Sequence, residues 1–450
     1  MIKDLGLIQM LDARLCVHEP EEITTGAAVA GMLLNGLGFS NRPLSFTPPF
    51  VANTPLDLLC RQGVTAERFN RCTLGRRLDE VHADGCDLLL SEVAMAVCAH
   101  AGIDQRFTHL DTTRVALTGD SMPESDEHAM AITHGSSKDH RADLQQAVLE
   151  LMVSQDGGVP LRSKSWEGHA SDSQVFQERA EALLKTLQHS PPPRYVVADC
   201  QRYEKDTAEH VKSLPCITRI PHTLKVVSQV MPQALAIDTW HDVDAPTRYQ
   251  RLEVCHSGMA QRWLVVFSQA AAWRAEAAVR QAQHKAYDAM QPQLFPCQAP
   301  RFASQPSAYE ALSKLGKQWR SHPLDSYAFT AHKRDGNNGR PTPRPPSKAT
   351  EWQIEAQGLP EAKRINHAKP LGACSGIGSN MPCEQRSDGD VLTGSKAQAQ
   401  AEGGCRFLKD PLFFVSSLFV KKPSRIQGLL RVMTLALLVS SVTQRRLRQA

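Results

Sequence analysis

Near residue 105 the apolar pattern of this chain changes its period, and that change constrains the fold more than any other feature. FTHLDTTRVALTG (107–119) alternates and is rich in Thr and Val, the pattern of a strand buried on one face. HAMAITHG (128–135) and QAVLELMVSQDGGVPL (146–161) predict two more strands, the second with a Gly-Gly turn inside it. SDSQVFQERAEALLKTLQ (171–188) predicts an amphipathic helix opened by a Ser/Asp cap. RYVVADC (194–200) and CITRIPH (216–222) predict two short strands. Three strands, a helix, a strand, a helix and a strand make a mixed α/β order with a hairpin-joined front end.

That order fits an RNase H-like sheet, and other α/β folds share it. The flanks are different. Residues 1 to about 100 carry helical spacing, as in LGLIQMLDARL (5–15) and GRRLDEVHADGCDLLLSEVAMAVCAHAG (75–102). Residues 225–330 also predict mostly helix, with one strand at RWLVVFS (262–268). KRDGNNGRPTPRPPSK (333–348) and LGACSGIGSN (371–380) are rich in Gly, Pro and small residues and predict little regular structure. The organisation expected is therefore a helical region over 1–102 and the first part of the core over 103–225. An inserted subdomain over 226–390 follows, with a Gly/Pro-rich segment at 331–390, and then closing helices over 391–450.

The 450 residues are 42% hydrophobic with a net charge of only +4, which excludes a wholly disordered chain. The charge is uneven. Residues 301–450 hold 23 Lys and Arg against 11 Asp and Glu, a basic third that suits a polyanionic partner. Twelve cysteines are scattered without any C-x-x-C pair, so zinc clips and disulfide frameworks are disfavoured and a cytoplasmic setting is expected. Ile426 to Val442 is apolar enough to invite a membrane reading, but it is short and contains Arg431. A buried core helix is the better expectation.

Two carboxylates stand out. Asp111 interrupts a strand pattern, where Asp is disfavoured, and Asp199 ends the apolar strand YVVAD. Side chains at strand ends leave a rigid scaffold, and two such carboxylates could share a hard divalent cation such as Mg²⁺. Each could equally be a turn or cap residue. The pair His134 and His140, with no cysteine nearby, makes a weak zinc site. WEGHASD (166–172) either lines the site or starts a capped helix.

The surrounding blocks widen the view. LDTTRVALTGD (110–120), ITHGSSKDHRADLQQAVLELMVSQDGGVPL (132–161) and SKSWEGHASDSQVFQERAEAL (163–183) resemble the bacterial insertion-sequence transposases of the DDE class. RYVVADC follows at that family's distance, and AEGGCRFLKDPLFFVSSLFVKKPSRIQGLLRVMTLALLV (401–439) resembles its closing block. The resemblance implies an RNase H-like mixed-sheet core with an α-helical N-terminal region and an inserted subdomain. It places the family's first two acids on Asp111 and Asp199. The third belongs to a helical pattern Tyr-x2-Arg-x3-Glu-x6-Lys, and Glu402 with Lys409 keeps the last spacing. Glu276, in AAWRAEAAV, is a rival third acid whose flanks match less well.

The activity implied is metal-dependent cleavage and strand transfer of the element's DNA ends, with Mg²⁺ or Mn²⁺ held by Asp111, Asp199 and Glu402. Lys409 could hold a DNA phosphate, and a solvated lysine would fit the same position. Lys421, Lys422 and Arg425 extend a basic end that includes Arg431, Arg445, Arg446 and Arg448, and phosphate contacts supply most sequence-independent affinity. The partners implied are double-stranded DNA, as terminal inverted repeats and target, and a second copy of the chain in the synaptic complex; no membrane is implied. The N-terminal helices are the implied site of end recognition, with RFNRCTLGRRLDEV (68–81) the most basic candidate.

The chain departs from the family where Tyr is usual, with Ser121, Ser136 and Ser395, and where Arg is usual, with Gln398 and Gly403. A degenerate copy with impaired activity is therefore expected. A nuclease of the same fold that cuts without joining, and a non-catalytic DNA-binding protein, are the alternatives.

Overall fold

A computed structural model describes residues 1–15, 23–39, 47–60, 63–117, 129–135, 143–171, 174–175, 177–179, 182, 195–198, 214–244, 246–256, 258–318, 324–334, 349–358, 372–409 and 421–450. The chain divides into two compact units. The first comprises Met1–Pro221, Glu253–Trp263 and Ile377–Ala450; the second, His222–Leu252 and Leu264–Gly376.

The first unit opens with helices α1 (Leu7–Leu15), α2 (Thr25–Leu34), α3 (Thr47–Val51), α4 (Leu56–Leu59), α5 (Arg71–Ala83) and α6 (Cys86–Ala101). Side-chain caps set two of the starts. Thr24 accepts a bond from the Ala27 amide, and Asn70 accepts from the amides of Cys72 and Thr73. Gly102, in the left-handed region at φ 61°, ends α6.

A mixed sheet follows, built from β1 (Phe107–Leu117), β2 (Thr133–His134), β3 (Gln145–Ser154), β4 (Pro160–Glu167), β5 (Tyr195–Ala198) and β6 (Cys216–Ile220). The order is β2-β3-β1-β5-β6, with β4 also paired to β3. β1 runs antiparallel to β3, with Asp111 opposite Leu151. β5 runs parallel to β1, with Ala198 opposite Leu110, and β6 parallel to β5. Four strands in antiparallel pairing, β1 to β4, followed by two parallel ones, make this an α/β fold of the RNase H-like kind, with helices preceding the sheet.

The strand predicted at 146–161 is instead a hairpin whose two arms are β3 and β4. Gly157 and Gly158, at φ 87° and 65°, make the turn. Of the strand predicted at 128–135, only Thr133 and His134 pair. In the predicted helix 171–188, Gln174, Val175 and Gln177–Arg179 are helical, and the Ser171 hydroxyl accepts from the Gln174 amide.

The second unit holds α7 (Val227–Leu235), β7 (His241–Asp244), α8 (Gln269–Gln298), α9 (Gln305–Gln318), β10 (Leu324–Arg334) and β11 (Ala349–Gly358). Strands β8 (Thr247–His256), β9 (Met259–Ser268) and β12 (Cys374–Ser379) are divided between the units. Three expectations need correction. TRYQRLEVCH forms β8 although helix was expected there. β11 and β12 lie in the stretch 331–390, which was expected to have no strands, and GACSGIG is strand for most of its length. Among the described side chains of β11, Ile354 and Ala356 are the deeply buried ones, against Ala308 and Leu312 of α9. One thin apolar row is a weak signal beneath Gly/Pro-rich flanks.

The chain then returns to the first unit with α10 (Asp388–Ala397), α11 (Ala399–Lys409) and α12 (Pro423–Gln449). A capping box opens α10: the Ser387 hydroxyl accepts from the Asp390 amide, and the Asp390 carboxylate accepts from the Ser387 amide. Pro423 starts α12, where a missing N–H costs nothing. α12 is the one helix among the described residues long and apolar enough to cross a membrane, and 83% of its apolar window is buried. Leu429, Leu430, Met433, Leu437 and Leu438 join the core formed by Val29 and Met32 of α2, Leu89 and Val93 of α6, and Val115, Leu149 and Leu151 of the sheet. It is a core helix, as the sequence predicts.

Two glycines in these last helices give opposite expectations. A Cβ on Gly428 would lie 2.7 Å from the Leu78 carbonyl oxygen, so α12 crosses α5 at backbone contact. Gly428→Ala should cost about 1–3 kcal/mol. A Cβ on Gly403 would meet nothing within 4 Å, so Gly403→Ala should gain about 1 kcal/mol from helix propensity alone. Urea midpoints that move in opposite directions would bear this out, and a shared direction would refute it. The adjacent Gly404 is placed differently. A Cβ there would press on Leu151 and Leu437, at 3.0 and 3.1 Å. A side chain at 404 would make both leucines give way by a few tenths of an ångström, so glycine suits the close approach of α11 to the core.

Candidate active site

Asp111 sits in the middle of the central strand, half-buried, and its Oδ1 accepts the Thr112 amide at 2.8 Å. Alternation puts His109, Asp111, Thr113, Val115 and Leu117 on one face of β1. Val115 and Leu117 share a core with Leu149, Leu151 and Val153, the residues on the same face of β3, and with Ala401, Cys405 and Leu408 of α11. The face that carries Asp111 is therefore the face that α11 covers. Glu402 lies in the first turn of α11, exposed, next to the buried Ala401. Its amide donates to the Gln398 carbonyl.

The structure thus brings the strand of Asp111 and the helix of Glu402 together. Asp199 follows Ala198, whose partner across the parallel ladder is Leu110, and lies outside the described residues. Glu276 lies on α8 in the second unit, where Arg280 holds its carboxylate at 2.9 Å. His134 is exposed on β2; Ser121 and Ser136–Arg141 lie outside the described residues.

Trp166 faces away from Asp111. It pairs with Val148 on β3, which belongs to the opposite set from Leu149 and Leu151. There its indole N–H donates to Glu150 at 3.0 Å, and the Lys164 ammonium sits 3.7 Å above the ring. Glu150, which the sequence did not single out, is wholly buried and paired with Arg179. Burial pushes its carboxyl up, against the pull of the Arg179 guanidinium. This cluster belongs to the packing behind the sheet, so the expectation that WEGHASD lines the site fails for Trp166.

A polar network beneath Asp111 also went unread in the sequence. His109 is fully buried, and its Nδ1 lies 3.1 Å from Gln398 Oε1. Gln398 Nε2 donates to the Leu110 carbonyl at 3.1 Å. Burial pulls the His109 imidazole below its usual range, while bonds to Gln398 and Gln155 oppose the shift. Gln155 Oε1 accepts the Tyr195 hydroxyl at 2.7 Å. The Phe107 and Tyr195 rings stack at 4.7 Å, and the Arg386 guanidinium covers both.

Arg262, nearly inaccessible, holds the segment that leads into α10. It donates to Asp388 Oδ1 at 2.9 Å, to Cys383 Sγ at 2.7 Å and to the Arg386 carbonyl at 2.7 Å. Only the burial of His109 and Arg262 marks these residues, and that cannot be read from their sequence neighbours.

The basic end separates into two groups. Lys421 and Lys422 are exposed, and Lys409 is half-buried. Arg425 forms a two-pronged pair with Asp79, both bonds 2.7 Å, so its guanidinium ties α12 to α5. Arg431 is 2% exposed and bonds Ser163 and Asp87. Arg445 grips Asp156 and holds its carboxyl below the usual range. Arg425, which the sequence placed among the DNA contacts, therefore pairs within the fold, as do Arg431 and Arg445.

Hard carboxylate oxygens are the donors that Mg²⁺ prefers. Among the described residues no group of three His, Cys, Asp or Glu side chains is gathered as a metal would need. Asp111 and Glu402 would need Asp199 to complete a set.

Residues 1–95 match the family described as a domain of unknown function, DUF4277. No curated protein matches the chain. Among solved structures, the chain is similar to the piggyBac transposase in a cryo-EM synaptic complex with hairpin DNA. The TM-score is 0.29 at 8% identity, over 98% of this chain and 79% of that one. A likeness this slight carries no function across.

Proposed function

We propose that this chain is a DNA transposase of the DDE type, acting by metal-dependent cleavage and strand transfer at the ends of its own element. The observation that supports it best is the placing of Asp111 at the centre of the mixed sheet, on the face that α11 covers with Glu402 in its first turn. Next to it, the chain leaves β5 directly into Asp199.

In this reading Asp111, Asp199 and Glu402 hold the divalent cations, Mg²⁺ or Mn²⁺. Once bound, such ions supply a Lewis acid and a more acidic water for in-line phosphoryl transfer. The chain's own part is positional. The core around Leu149, Leu151 and Leu408 fixes strand against helix, so the carboxylates need little reorganisation. Lys421 and Lys422 face solvent, where they can take DNA phosphates, and Lys409 lies two turns after Glu402. End recognition falls to α5 and the helices around it, where Arg71 and Arg76 are exposed. Joining two ends calls for a second copy of the chain.

The test is a labelled duplex carrying the terminal repeat, incubated with a target plasmid and Mg²⁺ or Mn²⁺. Nicking at the repeat followed by joined product is expected. Nicking without joining would favour a nuclease of the same fold, and binding without nicking a non-catalytic DNA-binding protein.

A further inference from the structure

Gln398 occupies the junction between α10 and α11, and both ends of its amide are used on β1. Nε2 donates to the Leu110 carbonyl, which fixes the orientation of the amide, so His109 Nδ1 must donate to Oε1. Two bonds from one side chain to consecutive residues of a strand restrain sliding and rotation together. Their location matters. Leu110 directly precedes Asp111 and pairs with Ala198, which directly precedes Asp199. One helical turn onward, the Glu402 amide bonds the Gln398 carbonyl. An arginine here, usual in the family this chain resembles, carries no acceptor for His109. Gln398 thus holds His109 with its proton on Nδ1, whereas an arginine could only donate to that nitrogen.

Resting on the reading above, we infer that Gln398 and His109 are positioning residues, which set the register of the helix bearing Glu402 against the strand bearing Asp111. Neither touches substrate. Their effect is on how the carboxylates meet a metal ion, in the manner of residues that orient a metal's ligands, whose loss costs about 10–100-fold in affinity or rate.

The experiment uses the full chain and the variants Gln398→Ala, Gln398→Met and Gln398→Arg. Three quantities are measured: Mn²⁺ binding without DNA by electron paramagnetic resonance, single-turnover nicking of terminal-repeat DNA, and affinity for that DNA. Mn²⁺ affinity and nicking rate should each fall about 10–100-fold in the Ala and Met variants, with DNA affinity unchanged, while Gln398→Arg, which can still donate to the Leu110 carbonyl, should keep more of both. Gln398→Glu keeps the acceptor for His109 and should recover part of the loss. Should the Ala variant fail to fold, Gln398→Met, which keeps the volume, carries the same expectation. Should the native chain bind Mn²⁺ but not nick, the Mn²⁺ comparison decides alone. Native Mn²⁺ affinity in the folded Met variant would overturn the inference while leaving the proposed site intact. Native nicking and Mn²⁺ binding in Asp111→Ala would instead overturn the site itself.

Discussion

Asp111→Ala should reduce metal-dependent nicking of terminal-repeat DNA by about 10³-fold or more, which is about 4 kcal/mol of transition-state stabilisation. The stability of the fold should change far less. Asp111 is half-buried, and its Oδ1 accepts the adjacent Thr112 amide, a bond local to the strand. Asp111→Asn keeps the shape, removes the charge and should be nearly as inactive. Because carboxylates sharing ions act as a unit, Glu402→Gln should cause a comparable loss, and the double variant should be little worse than either single one. The measurement is single-turnover nicking in Mg²⁺ and in Mn²⁺, with unfolding midpoints taken in parallel. Full activity in Asp111→Ala would place the chemistry elsewhere on the chain.

The second large effect concerns stability. Arg431→Ala should destabilise the first unit by about 3–5 kcal/mol. The side chain is 2% exposed in the middle of α12. Nη1 donates to the Ser163 hydroxyl at 2.7 Å and to its carbonyl, and Nη2 donates to Asp87 at 2.7 Å. One guanidinium thus joins α12 to β4 and α6. Alanine removes these bonds and leaves a cavity where the stem was packed. Arg431→Met fills the same space without charge and should recover much of the loss, since an apolar residue of similar volume often serves as well as a buried ion. Asp87→Ala should cost less, because Asp87 is half-exposed and water can take its place. Urea unfolding of the four proteins checks the ranking. An Arg431→Ala protein as stable as the native one would refute it.

How much of this was legible in the sequence follows from the reach of each signal. β1 was legible because alternation over eleven residues is a local pattern, and Asp111 because a carboxylate breaks it. α12 was legible because its apolar residues are continuous. β11 was not, since among its described side chains Ile354 and Ala356 alone face a core. β8 was not, since its polar residues resemble an exposed helix. In the candidate site, Asp111 and Glu402 could be named from local pattern and resemblance. His109 and Gln398, 289 residues apart, could not. Nothing near His109 says that it is inaccessible, and nothing near Gln398 says which strand it will meet. Arg425 misled for the same reason: a basic residue in a basic segment looks solvated until the fold pairs it with Asp79.

The position of α12 in the chain has a consequence for synthesis. Its Arg425 and Arg431 bond Asp79 and Asp87, residues 346 and 344 positions earlier. A ribosome makes the helices of residues 1–101 first, and their apolar groove then waits while more than three hundred further residues emerge. Until α12 arrives, the core that holds Leu78, Leu89 and Val93 is incomplete, and the nascent chain offers a sticky surface to holdase chaperones. Contacts this distant also make for slow closure. The segment 1–95, although it matches a family by itself, is therefore part of a core that the sheet, α11 and α12 complete.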